Sequence, residues 1–423
     1  MAIRPTTNYI LPTTFRALKH RNFRLFFFGQ FISLIGTWMQ SVALAWLVYR
    51  LTGSSALLGV TAFCGQIPVC LLALVGGYWA DHHSRHRTLI ATQTLAMLLA
   101  LTLAALTLLD LVRVWEIIVL AVLLGVVLAF DIPTRQSFFA ELVGKEDLIN
   151  AIALNSSIFN GARMVGPAVG GLLVYWIGEG WCFFANGVSY LAVIAGLLMM
   201  RLPPVSRPAD TNSALSRISE GLRFVYRHRP IRDLLLLIGL VSLTALPYSV
   251  LMPIFADQIL HSGPRGLGTL MGAAGTGALL GALALASRKH VRGLGRWVAF
   301  GACMLGVGLV LFSLSRTFWL SLLCLVQVGF ATMIQMGSSN TLVQSMAPDH
   351  LRGRVVSCYT MMFMGMAPLG ALLAGFLAKP EYLTAPWTVA LGGTLAVLGA
   401  IVFGIRLPLL RAEARELLEA QQR

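Results

Sequence analysis

The chain has 423 residues, 57% of them hydrophobic and only 12% charged, with a formal net charge of +15. That apolar surface exceeds what a water-soluble protein of this length can bury, and the continuity of the apolar runs excludes barrel strands, which alternate polar with apolar residues. Nucleic acid is excluded as the partner of the positive charge, because the basic residues are scattered over seven short segments between apolar runs.

In chain order, a basic tail leads into apolar segments of roughly the length a helix needs to cross the hydrocarbon core. These are expected at 23–49, 56–80, 88–110, 115–139, 151–178 and 180–200. The first run is too long for the apolar part of a cleavable signal peptide. A linker containing Pro203, Pro204 and Pro208 follows, then an amphipathic, arginine-studded helix from about Ala214 to His228, suited to a membrane surface. Six more segments are expected at 231–260, 266–287, 297–314, 318–346, 354–378 and 386–407. The chain thus divides into a first bundle with its tail (1–200), a linker (201–230), a second bundle (231–407) and a charged tail (408–423). With both termini and the linker on one side, 26 of the 32 Lys and Arg lie there and 5 lie opposite, while Arg163 sits inside a segment. The positive-inside rule makes the basic side cytoplasmic. The six cysteines fall singly in or beside apolar segments and read as small core residues.

The halves repeat one another. Asn160-Gly161, Gly166 and Gly171 align with Met364-Gly365, Gly370 and Gly375, and Lys19-His20-Arg21-Asn22-Phe23-Arg24 recurs as Arg227-His228-Arg229-Pro230-Ile231-Arg232. A half-chain repeat in lipid implies two pseudo-symmetric bundles with a site between them, the architecture of a carrier.

Three motifs carry the chemistry. The loop after the second segment holds Gly77, Asp81, Arg85 and Arg87. A glycine there admits a close helix, Asp81 suits a helix N-terminus, and the arginines bridge to carboxylates on adjacent helix ends. The fifth segment contains Arg163 and then Gly166, Pro167, Gly170 and Gly171, a groove of small residues with a bend. It is expected to pack on the eighth segment, where Gly268, Gly272, Gly277 and Gly281 have matching spacing. It reads as a packing face, or as a packing face about which the halves rock. The third motif runs from Asp131-Ile132-Pro133-Thr134-Arg135 through Glu141 to Asn155, with Gly36-Thr37-Trp38-Met39-Gln40 upstream.

Together these resemble the major facilitator superfamily, in the drug:proton antiporter branch that contains the enterobactin exporter and macrolide efflux pumps. The first loop resembles its signature Gly-x-x-x-Asp motif with His82 and Ser84 in place of Arg and Gly, and the fifth segment resembles its antiporter motif with Ala162 for the first glycine. The resemblance implies an all-α membrane protein of twelve transmembrane helices in two six-helix bundles. It also implies a bacterial inner-membrane location, a chain acting alone, and proton-coupled export of a small organic molecule such as a siderophore or macrolide. A flippase for lysophospholipid or a similar amphiphile is the alternative within transport. A membrane-embedded enzyme is disfavoured, since no segment carries a Ser/His/Asp set, a nucleotide loop or metal-ligand spacing. No cofactor or metal is expected; His82, His83 and His86 have only Asp81 beside them.

Among 17 Asp and Glu, only Asp131 is expected to be buried, with Arg85, Arg135 or Arg163 as partner. It is either a structural ion pair or the proton-coupling group. Arg163, about midway along its segment, contacts substrate or holds an anion. With no cavity carboxylate evident, an anionic, zwitterionic or neutral substrate is favoured. The expected cavity residues are Trp38, Gln40, Gln66, Asn155, Asn160, Tyr248, Gln335, Asn340, Tyr359 and Met362.

Overall fold

The computed structural model describes residues 13–144, 146–201, 214–288 and 293–420. The prolines of the linker, 202–213, and the basic loop 289–292 of the second half lie outside the described residues. The first half comprises α1 (Arg21–Thr52), α2 (Ser55–His82), α3 (Arg85–Leu108), α4 (Val114–Val143), α5 (Leu148–Ile177) and α6 (Glu179–Leu198). The amphipathic α7 (Ala214–Arg227) packs on α13. The second half comprises α8 (Arg229–Thr244) with its continuation through α9 (Met252–Ile254), then α10 (Gly263–Ala286), α11 (Leu294–Leu314), α12 (Phe318–Met346), α13 (Asp349–Leu377) and α14 (Thr384–Ala420).

Local chemistry sets several ends. Gly53, at φ +59, lets the chain turn out of α1. Ser54 and Ser84 accept the backbone N–H groups of Leu57 and Arg87 and so start α2 and α3. The last helix continues through the expected tail as far as Ala420. The segment expected at 231–260 is one helix only to Thr244. Pro247 and Pro253 lack the N–H that an α-helix needs there, and the chain continues as a 3-10 turn (Leu246–Leu251), α9 and a π turn (Phe255–Ile259).

Among the described residues, eleven helical segments are long and apolar enough to cross a membrane. The helix α5 is not one of them, because Asn150, Asn155, Asn160 and Arg163 dilute its apolar content, yet it runs 30 residues between α1 and α10. Within the first half, α1 packs on α5 and α6, α3 on α4 and α6, and α2 on α4. The second half repeats each of these pairings: α8 on α13 and α14, α11 on α12 and α14, and α10 on α12. Two seams join the halves, α5 with α10 and α2 with α13, and the repeat exchanges one seam for the other. This is the twelve-crossing, pseudo-twofold fold expected from the repeat.

Without a hydrophobic drive between helices in lipid, such seams depend on close backbone packing. A Cβ on Gly171 would lie 2.6 Å from the Pro264 carbonyl oxygen and 2.7 Å from the Gly268 Cα. In the other seam, a Cβ on Gly59 would lie 2.6 Å from the Ala371 oxygen and 2.9 Å from the Gly375 Cα. Both contacts stand at the end of the molecule opposite the termini, hereafter the far end. Towards the basic end, the α5–α10 seam opens into a cavity of about 500 Å³ lined in part by Ser156, Asn160, Leu283, Met333 and Thr341. The halves are therefore closed at the far end and parted at the basic end along this seam.

Candidate functional site

Asp131 is 1% exposed, as its place in the apolar run of α4 suggests. Thr92 Oγ1 and Gln93 Nε2, both on α3, donate to its Oδ1 at 2.9 and 2.8 Å, and Arg135, one turn on, pairs with its Oδ2. Of the three expected partners, only Arg135 is found there. The other two are engaged elsewhere. Arg85 Nη1 donates to Glu141 Oε1 at 2.9 Å and to the Ser137 carbonyl, tying the start of α3 to the end of α4, and lies 3.8 Å from Asp81. Asp81 is exposed, and Arg87 is exposed in the first turn of α3. The close helix approach expected at Gly77 belongs instead to Gly76, whose added Cβ would strike the Ala129 carbonyl of α4; around Gly77 there is open space. His82 turns to the Tyr78 carbonyl and His86 to that of Leu197, so the two imidazoles do not converge.

The small-residue groove of α5 divides its contacts between two neighbours, where one had been expected. Added Cβ atoms on Gly166 and Gly170 would meet α1, 2.5 Å from Trp38 Cβ and 2.8 Å from the Met39 oxygen. Pro167 and Gly171 face Gly268 of α10. Gly277 and Gly281 turn away from α5 and pack on Val326 and Phe330 of α12. A side of the groove thus fixes α5 to its own half while the edge beside it forms the seam.

Arg163 sits where these surfaces meet. Its backbone oxygen would lie 2.5 Å from a Cβ on Gly275, and its guanidinium carbon stands 5.7 Å from the centre of the Trp38 ring, cation–π distance. Trp38 in turn packs edge-on against Phe159 with centroids 5.7 Å apart. Tyr248 is buried on the 3-10 turn of the second half. Among the described residues no carboxylate pairs with Arg163. A half-buried cation in mid-span, beside the Trp38 ring and about one turn along α5 from the cavity-lining Asn160, can attract an anionic group of a ligand.

The remaining expected cavity residues scatter. Asn160 lines the cavity, and Asn155 and Asn340 are half-buried. Met362 reaches over Gly239 of α8. Gln66 is exposed on α2. Gln40 is buried and accepts from Asn186 of α6 at 2.6 Å, a contact inside the first half. Tyr359 donates to the Met336 carbonyl at 3.0 Å and pins α13 to α12. Gln335 is fully buried, and its side-chain nitrogen and oxygen lack partners.

Two more acids are buried, contrary to the expectation of one. Glu179, 7% exposed, pairs with Arg50 at 2.7 Å at the far end. Asp233, 6% exposed, forms ion pairs with Arg406 at 3.1 Å and Arg232 at 3.7 Å that lack aligned hydrogen-bond geometry. Asp233 stands between Arg232 and the apolar run 234–240, and Glu179 at a short turn without a basic neighbour, so only the tertiary pairings with Arg406 and Arg50 reveal them. Sequence reasoning also missed a contact between the halves: the Tyr49 hydroxyl donates to Asp257 Oδ2 at 2.8 Å. Outside the membrane-spanning segments, Asp147 in the α4–α5 turn accepts from His20 Nε2 at 2.9 Å and lies 3.5 Å from Arg16. That imidazole contact, helped by Arg16, holds its carboxyl below the ordinary carboxylate value.

Residues 12–422 match the family model described as transmembrane secretion effector. The multidrug efflux pump Tap of Mycobacterium tuberculosis is 31% identical over 412 residues, covering 92% of this chain and 93% of that protein. The staphyloferrin A transporter of Staphylococcus aureus is 24% identical, covering 84% and 89%. Among solved structures, the nucleoside transporter NupG superposes with a TM-score of 0.70 at 13% identity, covering 92% of this chain and 99% of its own.

Proposed function

The chain belongs to the transmembrane secretion effector family of the major facilitator superfamily, and on that premise we propose that it exports a small organic molecule bearing an anionic group, by alternating access and in exchange for protons. The observation that carries this reading is Arg163, a mid-span cation with no carboxylate partner among the described residues, set against Trp38 and with its backbone oxygen against Gly275 of the other half. A cation on the seam between the halves holds a ligand at the place where their relative tilt decides which compartment it sees. The relatives' names, a multidrug efflux pump and a staphyloferrin A transporter, support export of compounds larger than an ion. In this reading 1–200 and 231–407 are the moving bodies, 201–230 and 408–423 are cytoplasmic, and the protein acts as a monomer in a bacterial inner membrane. The basic asymmetry supports that orientation. The described state, closed at the far end, is then the one open to the cytoplasm.

The test compares compounds released into the medium by cells carrying no transporter, the wild type, Arg163→Ala and Arg163→Lys. The expected result is that the compounds whose release needs the wild type are anionic. Arg163→Ala should raise the concentration needed for half-maximal export about tenfold or more, the scale of a lost charge-assisted bond, and Arg163→Lys should recover part of it. Wild-type export by Arg163→Ala sinks the site assignment.

A further inference from the structure

Tyr49 and Asp257 are 208 residues apart, the separation that also relates Lys19-His20-Arg21 to Arg227-His228-Arg229. They therefore occupy equivalent positions on the leading helices of the two halves and meet across the pseudo-twofold axis. The backbone makes the meeting possible by breaking the symmetry. The helix α1 runs unbroken to Thr52, whereas its counterpart passes through 3-10 and π turns before reaching Asp257. Such π turns often mark functional positions. Tyr49 is 7% exposed and Asp257 is exposed, so the acid faces water while the hydroxyl is screened. The contact lies at the far end, where Gly171 meets Gly268 and Gly59 meets Gly375.

We propose that Asp257 is a proton-binding site that latches the far gate. Ionised, it accepts the Tyr49 hydroxyl in a charge-assisted bond and holds the halves together. When it takes a proton from the far compartment, the bond falls to that of a neutral pair, roughly half as strong, and the far end parts. Asp131 is unsuited to this task. Its oxygens are held by Arg135, Thr92 and Gln93, all in the first half, so its protonation perturbs one bundle and leaves the contact between bundles alone. The elements packed on the π turn bring few other charges. On α1 these are Tyr49 and Arg50, the latter held by Glu179 of α6; His261 lies in the turn that follows, and Arg265 in the first turn of α10. The proposal rests on alternating access but not on the identity of the substrate.

The experiment measures the distance between nitroxide labels at Leu111→Cys and Tyr382→Cys, exposed loop positions at the far end of opposite halves. The protein is held in lipid nanodiscs, with its six native cysteines replaced by serine. Spectra are compared at about pH 7.5 and about pH 3, the lower value lying below the ordinary aspartate pKa of about 3.9. The wild type is expected to gain far-open population about fivefold or more at the lower pH. Asp257→Asn should not respond to pH, and Tyr49→Phe should be more open than wild type at the higher pH. A pH response that survives in Asp257→Asn, or a Tyr49→Phe distance identical to wild type, overturns the latch. If the cysteine-free background misfolds, hydrogen exchange of residues 246–260 in the wild-type chain and in Asp257→Asn gives the same decision. A distance that changes with exported compounds but never with pH defeats the latch alone. A distance fixed under every condition defeats alternating access with it.

Discussion

Replacing the two members of the Asp131–Arg135 pair separately and together separates structural from chemical roles. Arg135→Met leaves a 1% exposed carboxylate with only the Thr92 and Gln93 donors. Breaking a buried ion pair by removing one partner costs about 3–5 kcal/mol, because the remaining charge is left without compensation. Asp131→Asn is milder, since an amide oxygen still accepts from Thr92 and Gln93, and Arg135, with 19% of its side chain exposed, can extend towards water. About 1–2 kcal/mol is expected there, the net worth of a hydrogen bond to a charged group. In the double variant no charge is stranded, so its loss should fall near that of Asp131→Asn and well below the sum of the singles. Thermal unfolding of the purified protein in one detergent gives the ranking: Arg135→Met least stable, Asp131→Asn and the double variant close together. Export is measured on the same variants and scaled to the amount of folded protein. If Asp131→Asn unfolds like wild type yet exports nothing, or if the two single losses simply add, the structural reading of this pair is wrong.

Two further outcomes are expected. Gly76→Ala should lower the unfolding temperature, with about 1–3 kcal/mol of overpacking against the Ala129 carbonyl, while Gly77→Ala should be nearly silent; equal effects in the same thermal assay would refute the assigned contact. Asp147 has a folded-state pKa below the ordinary value, so its tie to His20 contributes stability above about pH 4 that is lost as pH falls through the lowered value; hydrogen exchange at 15–20 should rise with acid in the wild type and lose that dependence in Asp147→Asn.

The fold was legible because its causes are periodic and local. Apolar run length, basic asymmetry and the glycine repeat each constrain backbone placement, and all agreed on paired six-helix halves. What was not legible depended on which face of a helix a residue takes. Gly76 and Gly77 are adjacent, and only the rotation of α2 against α4 decides which one touches. The antiporter-like groove was legible as small residues, but its division between α1 and α10 follows from a crossing that spacing leaves open. Likewise, Gln40, Gln335 and Tyr359 are polar residues in apolar helices, which in sequence look like cavity lining. In the structure they face neighbouring helices of their own halves, where Asn186 and the Met336 carbonyl serve Gln40 and Tyr359. Arg163 could be placed in mid-span by counting residues, but Trp38 and Gly275 came beside it through tertiary packing.

The repeat itself shows where the chemistry departs from the shared backbone. The register that carries Gly171 onto Gly375 carries Asp131 onto Gln335, Thr134 onto Ser338 and Arg135 onto Ser339. In α4 this set forms a closed ion pair; in α12 Gln335, Ser338 and Ser339 are neutral, fully buried and without partners. A buried charge must be matched where it sits, and the first half does so with donors from α3, whereas Gly301 of α11 stands against Gln335 and offers no side chain. The signature-loop contacts follow the same division: Arg85 ties α3 to α4 through Glu141. Between α3 and α4 the first half is thus braced by charge, whereas the buried charge of the second half sits on α8, where Asp233 pairs with Arg406 of α14. In the second half α10 and α12 pack through Gly277, Gly281 and Gly329, and this half contains the broken helix that brings Asp257 to Tyr49. If the halves rock, local rearrangement concentrates in the 3-10 and π turns between Thr244 and Leu260, where the regular helix is already interrupted.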